Sequence, residues 1–215
     1  MFIKRLLKNQ MKEIVENMQI KSINEHFRYY LENESQFKSS ERFVYVSKKC
    51  KSAYSFVYSN LLLNICSDFE SLVRAYFGKE NDEPMEVHDI IQSILGDEKL
   101  KVMLTESTNY ENCDYETLHP LKINHNDKTN KDSFRWWEAY NKIKHNKVAK
   151  IFHANQENIL NALAALYILN RYVLSINAEN NGGIDIFVDD NNRFKLNQLK
   201  SKSLSMAQVF AITKD

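Results

Sequence analysis

Glycine and proline are scarce in this 215-residue sequence, which contains four glycines and two prolines. Folds built from β-hairpins need these residues at their turns, so their scarcity favours long helices over an all-β architecture. It also argues against a flexible linker between two large domains. The length suits one sizeable hydrophobic core, with or without an appendage. We therefore expect an all-α protein.

The chain also has few cysteines, and neither positive nor negative charge is in clear excess. Cys50, Cys66 and Cys113 are widely spaced and form no Cys-x-x-Cys pair, which excludes a disulfide framework or a zinc ribbon. Reduced thiols in the cytoplasm are the expected state. The 29 basic and 28 acidic residues leave a net charge of +1. This balance excludes a globally basic nucleic-acid binder but leaves a local basic patch open.

Long uninterrupted apolar runs are absent. Charged residues recur every few positions from Met1 to Ile20, so no signal-peptide pattern forms there. The stretch from Asn161 to Leu174 is interrupted by Asn170 and Arg171, and it is too short to cross a bilayer. We therefore expect a cytoplasmic protein with no membrane partner.

What the sequence does contain is helical periodicity over most of its length. An amphipathic helix is predicted over residues 2–18, and the capping-box pattern at 22–25 begins a second helix that runs to about Asn33. The other predicted helices span 47–77, 84–104, 132–147 and 155–177, with Gly78 as the C-terminal cap of the first and Gly96 kinking or dividing the second. Segments 184–188 and 193–196 predict a β-hairpin before a short C-terminal helix.

These elements suggest three regions: flanking helices over 1–46, a helical bundle over 47–178, and a hairpin with a short helix over 179–215 packed on the bundle. Residues 105–131 are polar and aperiodic, and a loop of this length is usually either functional or disordered. Cys113, His119 and His125 lie in it, but they have no fourth ligand and no closely spaced pair. No metal site is therefore expected.

The segment from Arg135 to His145 has the most distinctive chemistry. On a helical wheel, Trp136, Tyr140 and Ile143 form an apolar side. A second face carries polar groups one turn apart, and these predict a polar pocket. That face consists of Phe134, Glu138, Asn141, His145 and Val148. Lys142, Lys144 and Lys147 surround it with positive charge.

The pattern Trp136-Trp137-x-x-Tyr140-Asn141-x-Ile143-Lys144-His145, with His119-Pro120-Leu121-Lys122 upstream and an Ala/Leu-rich helix downstream, resembles HEPN-type helical-bundle proteins. The resemblance covers about residues 50–177. It implies an up-and-down bundle that acts on RNA in bacterial defence, stress or toxin–antitoxin systems. It also implies a homodimer, an antitoxin or other defence-system protein as partner, and metal-independent endoribonuclease activity without a cofactor.

Carried onto this chain, the resemblance implies that His145 is the acid/base group and Asn141 its positioning partner. An imidazole, with an ordinary pKa of ~6.5, suits proton transfer at neutral pH. The expected contacts with RNA phosphates are made by Lys144, Lys142, Lys147 and Arg135. The family's arginine position falls on Tyr140, whereas Arg135 lies ~15 Å from His145 along a helix and could serve the site only across a dimer. Glu138, Tyr140 and Glu70 are supporting residues, Glu70 either orienting His145 or pairing with Arg74.

Other functions stay open on the residues alone. The same polar cluster could hold together a non-catalytic interaction or dimerisation module, or bind a nucleotide or small molecule. His145 could be structural. The lysines could be a solvated cluster favoured by the helix dipole rather than an RNA patch. Trp136 and Trp137 are expected to pack in the core rather than stack on bases.

Overall fold

A computed structural model describes residues 24–79, 85–115, 117–123, 134–180 and 193–196 of the chain. Its main elements are helices α1 (24–40), α2 (Phe56–Phe77), α3 (Val87–Leu95), α4 (Arg135–His145) and α5 (Gln156–Asn180). Two short strands, β1 (Thr108–Tyr110) and β2 (Phe194–Leu196), complete them. The expected mostly helical character is confirmed. The predicted helices over 2–18 and after residue 200 lie outside the described residues.

Helix α1 extends to residue 40, well beyond the predicted end at Asn33. Polar residues at its C-terminal end stay helical because they bond locally or to the core: buried Glu34 accepts from the Tyr30 hydroxyl at 2.9 Å and pairs with Lys38. Phe27, Tyr30 and Phe37 are buried in the same core as α2 and α5. The helix expected to flank the bundle therefore contributes directly to the common interior.

Helix α2 begins later than predicted, at Phe56 instead of about Ser47. Ser55 provides the N-cap, its side chain accepting from the Tyr58 amide at 3.0 Å. Residues 47–54 instead form a 3-10 turn at Lys48–Cys50 and an isolated β-bridge between Tyr54 and Asn155. The predicted end is confirmed, because Gly78 adopts φ 61° and caps the helix in the left-handed conformation.

Helix α3 spans only Val87–Leu95, so the predicted continuation to Leu104 is wrong. The helix ends just before Gly96, where the sequence predicted a kink or a break. Asp97 then accepts hydrogen bonds from the Lys99 and Leu100 amides, at 2.8 and 2.9 Å, and a 3-10 turn follows over Lys101–Thr105. Pro84 lies outside the described residues.

The core is built around α2 and α5, which pack against each other and against α4. Nine consecutive residues of α5, 162–170, are buried. By length and composition Gln156–Asn177 could cross a membrane, yet 78% of its most apolar window is buried within the protein. This is the burial expected of a core helix.

The segment from 105 to 123, predicted to be a loop, contains structure. Strand β1 pairs antiparallel with β2, with Thr108 opposite Leu196 and Tyr110 opposite Phe194. The backbones of Thr108 and Leu118 also exchange hydrogen bonds of 3.0 and 2.8 Å. The predicted strand at 193–196 thus exists, and β1 is its partner. The other predicted hairpin strand, 184–188, lies outside the described residues.

Candidate functional site

Helix α4 is anchored by its aromatic residues. Trp136 and Trp137 are both 2% exposed and contact the Phe69 ring of α2 edge-on, at centroid distances of 5.1 and 6.0 Å. Tyr140 and Ile143 are also buried. The predicted apolar side of this helix is confirmed. Both tryptophans pack in the core, which leaves neither available for base stacking.

The loop carrying His119 and Pro120 is attached to the start of α4. The Trp136 indole nitrogen donates a 2.8 Å hydrogen bond to the Pro120 carbonyl, and both groups are buried. His119 itself is exposed beside this bond. The two parts of the sequence that carry the family resemblance are therefore in direct contact, at the end of α4 opposite His145.

Two of the five residues predicted to form a polar face on α4 lie outside the helix. Phe134 lies before the helix with φ 53° and is buried, and Val148 lies beyond the helix end at His145. Glu138 pairs with Lys142 at 2.7 Å. Within the described ranges, neither the Asn141 nor the His145 side chain has a hydrogen-bond partner; Asn141 is half-buried, whereas His145 is exposed at the C-terminal end of the helix. The imidazole thus faces solvent and does not lie in a closed cavity.

Tyr140 stands where the resemblance predicts an arginine, and the surroundings of this residue suit a tyrosine. The ring is 5% exposed and packs against Trp137 at 5.1 Å. Burial raises the pKa of the hydroxyl, and the nearby Lys144 ammonium, 5.3 Å from the ring centroid, partly opposes this. Tyr140 is therefore an uncharged core residue covered by a lysine.

Glu70 belongs to a pair with Arg74. Its Oε1 accepts from Arg74 Nε and Nη2 at 3.1 and 2.8 Å and from the Met85 amide at 3.2 Å. This confirms the predicted i,i+4 ion pair. The structure gives Glu70 no contact with His145, so the alternative role of orienting that imidazole gains no support.

Arg135 is exposed at the first turn of α4, whereas His145 is at the last. Eleven helical residues separate these ends by ~15 Å, so the two side chains are not brought together within one chain. Lys142, Lys144 and Lys147, by contrast, lie at the same end as His145.

A second segment joins His145 at this end of the bundle. Residues 47–60 lie against residues 142–158 and are joined to them by backbone hydrogen bonds. The Ala53 carbonyl accepts from the Gln156 amide at 2.9 Å, and the Lys51 carbonyl accepts from the Glu157 amide at 3.1 Å. In addition, the Lys147 ammonium bonds to the Asn60 side chain. We call the surface of residues 47–60 and 142–158 the basic end.

The charge of the basic end differs from that of the whole chain. The two segments contain seven lysines: Lys48, Lys49, Lys51, Lys142, Lys144, Lys147 and Lys150. Glu157 is the one acidic residue in these two segments, with Glu138 and Asp114 at their edges. In a chain with a net charge of +1, this concentration creates a local positive potential that attracts polyanions.

The basic end also exposes aromatic rings. Tyr54, Phe56 and Phe152 are 55%, 68% and 48% exposed, and Val57 and Val148 are exposed beside them. The bridge between Tyr54 and Asn155 pairs Tyr54 with a residue three positions after Phe152. Aromatic rings among lysines are the combination with which proteins bind single-stranded nucleic acid.

His153 is a second histidine at the basic end, and it lies outside the motif that contains His145. Its ring contacts that of Phe152 at 4.3 Å. Burial lowers its pKa, and the Lys142 and Lys150 ammonium groups lower it further, while Glu138 opposes them. His153 is therefore uncharged at neutral pH.

Metal ligation finds no support in the part of the chain that the structure describes, where no group of three or more His, Cys, Asp or Glu side chains could hold an ion. Cys113 donates to the Tyr110 carbonyl at 3.2 Å, and burial raises the pKa of its thiol. His125 lies outside the described residues, so the Cys113–His119–His125 set is not tested as a whole.

The main residues missed from the sequence are Lys48, Lys49, Lys51, Tyr54, Phe56 and Phe152. The run Lys48-Lys49-Cys50-Lys51 is visible in the sequence, but helical periodicity places it at the start of the predicted helix 47–77. Its position against residues 142–158 depends on hydrogen bonds between residues about 100 positions apart. No local pattern encodes such a pairing.

Comparison with known proteins identifies no relative: no family model, curated protein or solved structure matches this chain.

Proposed function

We propose that this chain is a HEPN-like, RNA-directed protein of a bacterial defence or stress system, and that RNA binds at the basic end. The observation that carries the proposal is the concentration of seven lysines and exposed aromatic rings on the two paired segments that include the exposed His145. Lysine ammonium groups bind phosphates as point charges, and their clustering provides the salt-dependent affinity typical of nucleic-acid binders.

We further propose His145 as the acid/base group of a metal-independent cleavage step. A ribose 2′-oxygen would attack the adjacent phosphorus, and the bond from phosphorus to the 5′-oxygen would break. The imidazole moves the proton from the 2′-hydroxyl toward the leaving 5′-oxygen, which yields a 2′,3′-cyclic phosphate and a 5′-hydroxyl. Lys144 suits the developing phosphorane charge better than Lys142, because Lys142 pairs with Glu138.

The motif places no arginine beside His145, because Tyr140 stands where the resemblance predicts one, and this limits the chemistry. A lysine provides charge but not the two-point fork of a guanidinium, so we expect slow cleavage in a single protomer. Arg135 of a second copy would supply the fork in a homodimer. This dimer is part of the proposal, as is an antitoxin or other defence-system protein as partner.

The test is incubation of labelled RNA with the purified protein in EDTA. His145→Ala is compared with wild type and with His119→Ala, which removes an exposed histidine at the other end of α4. Circular dichroism checks that all three fold. We expect wild type and His119→Ala to produce cyclic-phosphate ends and His145→Ala to produce none. RNA binding without cleavage would leave an RNA-directed, non-catalytic protein, and the absence of binding would contradict the proposal.

The second candidate is a non-catalytic interaction module, favoured by the exposed Phe56, Val57 and Val148. Exposed apolar side chains grouped at one end are typical of protein–protein contacts. Sedimentation of the wild type and a Val57→Ser/Val148→Ser variant tests it. A dimer that the double substitution dissociates would support this role, particularly if RNA does not bind.

A further inference from the structure

We infer that Lys48, Lys49, Lys51 and the rings of Tyr54, Phe56 and Phe152 form a second RNA subsite beside His145. The lysines would contact backbone phosphates, and the rings would stack on unpaired bases. This inference rests on the proposed function and adds to it a binding surface on a segment outside α4 and its flanking lysines.

The three lysines are held on a well-defined backbone. The Cys50 amide donates to the Ser47 carbonyl at 3.0 Å, and the Ala53 amide donates to the Cys50 carbonyl at 2.8 Å. The Ser47 amide in turn donates to the buried Gln156 side chain at 3.2 Å. The turn is thus fixed to the start of α5. Lys48, Lys49 and Lys51 project from it as exposed residues.

The aromatic rings lie on segments that adjoin these lysines or α4, and Phe152 is in the 3-10 turn Ile151–His153, which packs against α4. Tyr54 follows the turn and is paired with Asn155, three residues after Phe152. Phe152 in turn lies between Lys150 and His153 in sequence. A single strand bound across the two paired segments would therefore meet exposed rings as well as lysines. Exposed rings stack on bases of any identity because every base presents a π-face.

The surrounding charge favours RNA over a protein as the occupant. Lysine is depleted at protein–protein interfaces, whereas the basic end has seven lysines around its rings. A duplex would present phosphates but no free base faces to the rings. The subsite should therefore distinguish single-stranded from double-stranded RNA.

Fluorescence anisotropy with a short unstructured RNA, and with a duplex of equal length, tests the subsite in the full chain. Lys48→Gln/Lys49→Gln/Lys51→Gln should reduce the slope of log affinity against log salt by about 2, at roughly 0.7 per phosphate contact. Lys79→Gln/Lys99→Gln/Lys122→Gln, which neutralises exposed lysines elsewhere, should leave the slope unchanged.

Each of Tyr54→Leu, Phe56→Leu and Phe152→Leu keeps an apolar side chain but removes the flat ring. We expect each to weaken single-strand binding about tenfold, since stacking contributes roughly 1–3 kcal/mol per base, and to leave duplex binding unchanged. Tyr29→Leu replaces an exposed tyrosine of α1 and serves as the control. Photocrosslinking of thiouridine-substituted RNA to wild type should map to these three rings, without depending on how any variant folds.

The outcomes separate the two proposals. If wild type binds no RNA, both fail. If wild type binds but the six substitutions behave like their controls and the crosslinks lie elsewhere, the subsite is wrong and the proposed function stands. If the leucine variants alter self-association and not RNA affinity, the surface is a protein interface, which also overturns the subsite.

Discussion

The Trp136 indole nitrogen donates a 2.8 Å hydrogen bond to the Pro120 carbonyl, and this bond connects the start of α4 to a turn sixteen residues earlier. The indole also packs on Phe69 and, stacked at 5.7 Å, on Phe134. Trp136 thus joins the loop before α4 to the core helix α2. The position of α4, and of His145 at its far end, depends on this anchor.

Replacing Trp136 with phenylalanine should lower the free energy of unfolding by about 2–4 kcal/mol, because it leaves a cavity and a buried carbonyl without its donor. Urea denaturation followed by circular dichroism measures the change. Trp137→Phe removes the same volume from the adjacent position and should cost less. Equal losses would show that the hydrogen bond contributes nothing beyond packing.

Introducing an arginine at Tyr140, where the resemblance predicts one, should be costly. Tyr140→Arg would place a guanidinium where the tyrosine ring is 5% exposed, and we expect a loss of about 3 kcal/mol from burying a charge. Tyr140→Phe keeps the ring and should cost about 1 kcal/mol or less. Thermal or urea unfolding of the two variants tests this. An arginine variant as stable as wild type would mean that the new side chain reaches solvent.

The Glu70–Arg74 pair should stabilise the fold without affecting RNA binding. Its side chains are 15% and 19% exposed, and Glu70 also accepts from the Met85 amide. Glu70→Gln should therefore cost about 1–2 kcal/mol in unfolding free energy. The exposed i,i+4 pair Glu138–Lys142 is the matched control, and Glu138→Gln should cost less than about 0.5 kcal/mol. A loss of RNA affinity in Glu70→Gln, at unchanged stability, would contradict the structural role.

Protonation of His153 should destabilise the protein in mild acid. Its pKa is lowered from the ordinary 6.5 in the folded state by burial and by Lys142 and Lys150, so the unfolded chain binds its proton more readily. Stability should therefore fall as pH decreases below about 6.5, until the folded-state pKa is passed. His153→Gln should remove this part of the pH dependence, and His119→Gln should not. Identical pH profiles for wild type and His153→Gln would refute the assignment.

Local patterns in the sequence anticipated much of the fold. The ends of α2 and α5 were close to those predicted, because apolar spacing and a glycine cap act within one or two turns. The Trp136–Tyr140–Ile143 side of α4 was identified for the same reason. Other helix boundaries differ from the prediction: α1 continues past Asn33, α3 ends before Leu104, and Ser55, rather than a residue near Ser47, caps α2. Serine is common enough that its capping role depends on its surroundings.

The candidate site was predictable only in part. His145 and the lysines around it stand out because they share one helix end. The exposure of His145 and the burial of Tyr140 depend on which face of α4 packs against α2. The pairing of Glu138 with Lys142 depends on which side-chain rotamers the folded protein allows. The predicted pocket failed because the helical wheel extended α4 past both of its ends.

The sequence by itself determined that the chain is helical, where most helices lie and which side of α4 is apolar, since these properties follow from spacing between near neighbours. The tertiary structure alone decided that β1 pairs with β2 and that residues 47–60 meet residues 142–158. Those contacts join residues roughly 90–100 positions apart. Their selection depends on how the whole core packs, because a short polar segment carries no local signal that specifies its distant partner.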